Sequence, residues 1–262
     1  MSKNFETRVI SLVNQVDRRN KIISLLDGPN LNWSFYDAIS GKDIDAYLGM
    51  YDKKRRLRDL GYDLRANEIA CFISHRKVWE ECVSKNVPFL ILEDDVKISE
   101  RASIFPEIFR VIDLIIKTVR KDFLFVRLGN TVDRKFQAVK NIAESVDLVR
   151  YHRDPLGAFS YVLSPDVAKK LLRNSAQFSC PVDNYMWRGW EHGVCLFDLS
   201  PNLFFTSDID TPSNIGDRSK PEISFLHKLR REYFRAFNKF VCSNYEKKIT
   251  LDLKNNASKI FN

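Results

Sequence analysis

The sequence predicts an α/β protein, a mixed central sheet with helices on both faces and a helical extension at its C-terminal end. Short β-branched or aromatic runs alternate with segments whose apolar residues recur at helical spacing, the rhythm of βαβ units. The run from Pro88 to Leu92 is apolar throughout, as in a strand buried on both faces. The chain has 262 residues, 44% hydrophobic and 29% charged, enough for a substantial core and unlike disordered, collagen-like or low-complexity chains.

Thr7 to Val13 is the first strand, followed by a polar turn and a helical pattern through Ile22, Ile23, Leu25 and Leu26. Asp27-Gly-Pro-Asn30 breaks the chain, and Trp33 to Ile39 reads as a second strand. Lys53 to Arg58 is a basic cluster before Gly61. Asn67 is the expected N-cap of a helix reaching about Lys85. After the buried strand, Ser103 to Lys121 is helical by its apolar spacing and leads to a strand at Phe123 to Leu128. Gly129 to Asp154 suits a hairpin, and Gly157 to Leu163 another strand. Ser164 should cap the next helix, with Pro165 at its first position. Val182 to Trp190 is read as helical, Val194 to Leu199 and Leu203 to Thr206 as strands, and Asp208 to Asp217 as irregular. The domain is expected over residues 1–218 and the extension over 219–262.

Five cysteines are scattered without zinc-ligand spacing and read as buried, reduced thiols. The formal charge of +8 points to an anionic partner without choosing among nucleic acid, anionic lipid and phosphorylated substrate. No apolar stretch has the roughly 20 residues needed to span a bilayer, and no secretion signal opens the chain. A cytoplasmic protein is expected.

Glu93-Asp94-Asp95 closes the buried strand at its C-terminal end, where open α/β folds bind ligands. If the strand continues, Glu93 and Asp95 face one side and Asp94 the other. Adjacent carboxylates raise one another's pKa unless a cation or backbone N–H groups stabilise them. An all-oxygen set with few protein donors suits Mn2+ or Mg2+, leaving positions for water and a diphosphate. The plainer alternative is acids on a solvated loop or at a helix end.

Ordered segments along the chain resemble glycosyltransferase family 25, the bacterial lipooligosaccharide galactosyltransferases and their relatives. They are Val9 to Leu12 with Asp17-Arg18-Arg19, Phe35 to Ile39, Asn67 to His75 with Ala70 in place of the usual Gly, Leu90 to Val96, Gly157 to Ser164 with Ala168 to Leu172, and Pro181 to Asp183. The resemblance implies a single GT-A-like, Rossmann-like domain that binds a UDP-sugar donor. It implies inverting transfer of galactose from UDP-galactose to a lipid-linked lipooligosaccharide or lipopolysaccharide acceptor. By the same analogy Asp95 ligates Mn2+ directly, Glu93 does so through water, and Asp94 accepts hydrogen bonds from donor hydroxyls. Ser11, Arg19 and His75 join the expected donor-binding residues, although Arg19 also reads as a surface arginine and His75 as a core histidine. Inversion needs a carboxylate base; Asp183 is the first candidate and Glu191 the second, with helix capping the alternative for Asp183. Trp187 and Trp190 suit stacking on an acceptor sugar, or a core. His192 offers only a weak hint of a metal ligand.

Beyond the resemblance, Phe225 to Val241 places Leu226, Leu229, Tyr233, Phe237 and Phe240 on one helical face and Lys228, Arg231, Arg235 and Lys239 on another. This basic amphipathic helix fits an anionic inner-leaflet surface, or docks on the core with its charges in water. Two other functions stay open: a Mg2+-dependent phosphohydrolase or nuclease, for which Asp122, Asp198 and Asp208 are available acids, and a non-catalytic membrane-surface protein. No aromatic-basic signature of nucleic-acid binding is present.

Overall fold

The computed structural model describes residues 5–26, 31–98, 108–206 and 224–262. An eight-stranded mixed sheet forms the centre, in the order β2-β1-β3-β8-β5-β9-β7-β6. Strands β1 (Glu6–Ser11), β2 (Trp33–Asp37) and β3 (Phe89–Glu93) are mutually parallel. Strand β8 (Ser160–Leu163) runs antiparallel between β3 and β5 (Phe125–Arg127). Next come β9 (Phe197–Ser200), parallel to β5, and the hairpin of β6 (Phe136–Ala143) and β7 (Val146–Tyr151). A separate ribbon pairs β4 (Val96–Ile98) with β10 (Phe204–Thr206).

The expected α/β layering holds, and β3 shows why. Phe89 and Ile91 enter a core with α3 (Ala66–Lys85), α5 (Pro165–Asn174) and α6 (Val182–Trp187). Leu90 and Leu92 enter the opposite core, with α1 (Val16–Leu26), α4 (Ile108–Thr118) and the terminal turn α9 (Ala257–Ile260). All four side chains are fully buried, as a continuous apolar run requires. At roughly 25 cal/mol per Å2 of apolar surface, each contributes on the order of 2 kcal/mol.

The chain leaves β1 through α1 to β2 on one side and returns to β3 on the other, so the strand order switches direction between β1 and β3. The sheet therefore splays a crevice between the ends of these strands. Ser11 and Glu93, which end the two strands, flank it.

Several boundaries differ from expectation. Helix α3 begins two residues earlier than an Asn67 cap allows: Arg65 is the N-cap, and Glu68 reaches back to the Arg65 N–H at 2.8 Å, closing a capping box. The basic cluster is a helix, α2 (Lys53–Leu60), capped by Asp52 and ended by Gly61 in the left-handed region. Ser164 caps α5 as expected, accepting from the Val167 N–H, with Pro165 opening the helix. Strand β9 starts at Phe197, later than expected. The turn at Asp27 to Asn30, the first turns of the helix expected from Ser103, and Asp208 to Asp217 lie outside the described residues.

The C-terminal helix α8 runs from Phe225 to Asn255, longer than its amphipathic segment. It docks through a different face from the apolar one. Phe234 lies under Arg188, Tyr245 donates to the Val194 carbonyl at 3.1 Å, and Glu246 pairs with Arg150. Leu226, Leu229, Tyr233, Phe237 and Phe240 stay exposed, Leu226 at 76% and Tyr233 at 73%. Docking of that apolar face on the core is therefore not what is seen.

Candidate active site

The acidic run sits at the switch point. β3 ends at Glu93, and Asp94 and Asp95 form the turn into β4. Glu93 and Asp94 diverge as strand alternation predicts. Glu93 turns toward α3, where its Oε1 lies 3.1 Å from His75 Nε2. Asp94 turns toward α1: Ser11 Oγ donates to its Oδ2 at 2.7 Å and Arg18 Nη1 to its Oδ1 at 2.9 Å. Arg18 Nη1 also lies 3.8 Å from Asp95 Oδ2, so one guanidinium offsets part of the charge of both.

Arg19 braces the neighbouring strand ends. It donates to the Ser11 carbonyl at 2.9 Å and to Asp37 at 2.5 Å, and its guanidinium lies over the Phe35 ring. The sequence singled out Arg19; the structure puts Arg18 on the acidic run. The signal was in the Asp17-Arg18-Arg19 triplet, but sequence cannot tell which arginine of a helix's first turn faces the crevice.

His75 is fully buried, with both ring nitrogens engaged. Its Nδ1 lies 2.8 Å from the Tyr161 hydroxyl, which also accepts from Trp79 Nε1 at 2.8 Å. Burial holds the Tyr161 pKa well above its ordinary value, so the phenol keeps its proton and donates it to Nδ1. Nε2–H is then the donor to Glu93. This Trp79–Tyr161–His75–Glu93 chain orients Glu93, and sequence reading missed Tyr161 because a buried strand tyrosine resembles any core aromatic.

Asp183 lies in the first turn of α6, whose N-cap is Pro181. Only partly solvent-exposed and deep among protein atoms, it is pushed up to about 6 by burial, then by the Asp154 carboxylate, with Glu93 adding to the rise; the Asn184 N–H and Arg127 oppose it. Asp154, on the loop after β7, was not foreseen. Arg127 binds it at 3.3 Å and lies 3.2 Å from Asp198, with Arg127 and Asp198 both buried. Asp198 is pushed up to about 6 by burial. It is thus an internal ion-pair partner of Arg127.

Glu191 is bound by Arg188 at 2.8 Å and Arg55 at 3.2 Å, clasping α7 (Gly189–His192) to α2. His192 is buried: Nε2 lies 3.1 Å from the Tyr185 carbonyl and Nδ1 accepts from the Val194 N–H. Burial pushes it down to about 4, so it is neutral, and backbone groups occupy both nitrogens.

The donor set fits a divalent cation. Glu93, Asp154 and Asp183 interact electrostatically: burial does most to raise the Asp183 pKa, and the two neighbouring carboxylates add a repulsion that a cation would relieve. Hard oxygen donors at Glu93 and Asp95 match Mn2+ or Mg2+, which bind through one or two carboxylates and substrate phosphates. Among the described residues, Cys71, His75 and Glu93 also cluster, their ligand atoms within 4.8 Å of one another. Burial raises the Cys71 thiol well above its usual pKa, and His75 is already committed, so this trio is a poor site for a hard ion.

The chain belongs to glycosyltransferase family 25: the family described as "Glycosyltransferase family 25 (LPS biosynthesis protein)" matches residues 1–186. The lipooligosaccharide biosynthesis protein lic2B of Haemophilus influenzae is 27% identical over 172 residues, 62% of this chain and 60% of that protein. Procollagen galactosyltransferase 2 of Homo sapiens is 26% identical over 189 residues, 70% of this chain and 28% of that protein. An inactive glycosyltransferase 25 family member 3, also human, is 33% identical over 106 residues, 35% of this chain and 16% of that protein. The chain thus spans less than two thirds of the length of each of these three relatives.

Proposed function

We propose that this protein is an inverting, metal-dependent glycosyltransferase that moves galactose from UDP-galactose to a lipooligosaccharide or lipopolysaccharide glycan. The observation that carries this reading is the acidic run at the β1/β3 switch point together with Asp183, a half-buried carboxyl in electrostatic contact with Glu93 whose pKa of about 6 suits a base near neutral pH. Family membership supports transfer of a sugar, and the names of lic2B and the procollagen enzyme support the acceptor class and galactose respectively.

In this mechanism Asp95 would hold Mn2+ directly and Glu93 would do so through water, and the bound ion would neutralise charge on the donor diphosphate. Ser11 and Arg18 fix Asp94 at the crevice mouth, and the buried histidine holds the Glu93 carboxylate in one rotamer. Asp183 takes the proton from the acceptor hydroxyl as that oxygen attacks the anomeric carbon from the face opposite UDP. Glu191 is instead held by Arg188 and Arg55, which ties up its carboxylate between α7 and α2.

The test is sugar release and transfer from UDP-galactose with Mn2+ present. Asp95→Asn should abolish both while leaving the circular dichroism spectrum unchanged; near-normal activity would remove Asp95 from the metal site. The phosphohydrolase or nuclease alternative loses one of its acids, because Asp198 is buried against Arg127.

The same reading puts the protein at the inner face of the cytoplasmic membrane, where a lipid-linked acceptor is reached. No helix among the described residues is long and apolar enough to cross a membrane. The exposed apolar stripe of α8, flanked by Lys228, Arg235 and Lys239, instead complements an anionic bilayer surface.

A further inference from the structure

Between α8, the α6–α7 segment and the loop after β7 lies an open groove of about 1000 Å3. That is the upper end of the range for small-ligand clefts and room for an oligosaccharide segment rather than a single hexose. Trp187 and Trp190 line one wall; Trp187 is buried with the Arg150 guanidinium over its ring, whereas Trp190 is partly exposed and held edge-on by Tyr245 at 6.4 Å between ring centroids. Indole rings offer flat apolar surface to the C–H faces of sugars. Trp187 lies one turn after Asp183 on α6, so the same short helix carries the groove wall and the proposed base.

The charges of this lining do not balance. Asp154 is paired with Arg127, and Glu246 with Arg150. Arg153, Lys239 and Lys247 also line the groove, and among the described residues no carboxylate lies within ion-pair distance of them. Three cations with no acidic partner along a tryptophan-bearing groove are arranged for an anionic ligand that also presents sugar faces.

We propose that this groove is the acceptor subsite and that it selects an acidic saccharide, one bearing phosphate, sulfate or carboxylate groups. The inference rests on the glycosyltransferase reading for its link to transfer, but the groove itself does not depend on the donor site. Its walls are built largely from residues beyond 186, where the family match ends. The family-matched part of the chain holds the acidic run, and the segment that follows shapes what the acceptor must look like.

The experiment is calorimetry on the full chain with 3′-sulfolactose and lactose as probes, at low and at 0.5 M salt, alongside UDP with Mn2+. Sulfolactose should bind about tenfold tighter than lactose at low salt, the sum of three exposed charge contacts, and the preference should collapse at high salt. The variant carrying Arg153→Ala, Lys239→Ala and Lys247→Ala should lose the preference and still bind UDP as the parent does. Equal binding of the two sugars, or a preference that survives the triple substitution, overturns the inference. UDP binding without sulfolactose binding overturns the groove and leaves the donor reading standing. Sulfolactose binding without UDP binding keeps the groove and sinks the transferase.

Discussion

At the residue scale the account turns on carboxyls in unlike surroundings. Asp94 is anchored by Ser11 and Arg18, whereas Asp183 is raised to about 6. A base must be ionised to act, so transfer should fall as pH drops through about 6, with the midpoint moved lower when a cation sits nearby. Asp183→Asn should cost at least about 100-fold in kcat and leave no such pH limb. The stability effect has the opposite sign. An acid whose pKa is raised by folding stabilises the native state below its unfolded pKa, and this stabilisation is lost as pH rises through 6. At pH 7.5 Asp183→Asn should therefore raise the stability of the metal-free protein by about 1 to 2 kcal/mol, read as a higher Tm. An inactive variant with a lower Tm would mean that Asp183 is structural. His75→Phe, which removes the donor to Glu93, should weaken Mn2+-dependent UDP binding by about 10- to 100-fold.

At the element scale the strands were legible because their chemistry is local. The all-apolar run of β3 announced a doubly buried strand, and Ser164-Pro165 announced α5. Helix α2 was not legible: its eight residues are mostly cationic, and their order comes from the Asp52 cap, Gly61 and contacts with α8. The docking face of α8 was not legible for a related reason. The sequence advertised its apolar stripe, but the helix is held by Glu246 on Arg150 and by Tyr245 seated over Gly189. A Cβ at Gly189 would lie 2.3 Å from the Tyr245 hydroxyl. Gly189→Ala should therefore cost about 1 to 3 kcal/mol by overpacking, measured by urea unfolding, and should loosen α8; an unchanged midpoint would mean that the helix is held elsewhere. Ser164→Ala should cost about 1 kcal/mol through the lost cap.

At the scale of the whole molecule, the acidic run was placed at a strand's C-terminal end because the buried β3 run is local, whereas the switch in strand order beside it comes only from the folded sheet. The partners that complete the site, Arg18, Tyr161 and Asp154, come from α1, β8 and the loop after β7, and only folding brings them together. The charge of +8 takes on a location as well: α8 carries much of the positive surface. Vesicles rich in anionic lipid should sediment the protein at low salt, and Phe237→Ser with Phe240→Ser should reduce this by about tenfold or more. Failure of the parent to sediment would remove the membrane from the account. The central claim, a metal-assembled UDP-sugar site at the β1/β3 crevice, is tested most directly by calorimetry of UDP with and without Mn2+. The account predicts binding that requires Mn2+ and disappears in Asp95→Asn; UDP that fails to bind in either condition, or binds equally well without the metal and to the variant, would contradict it.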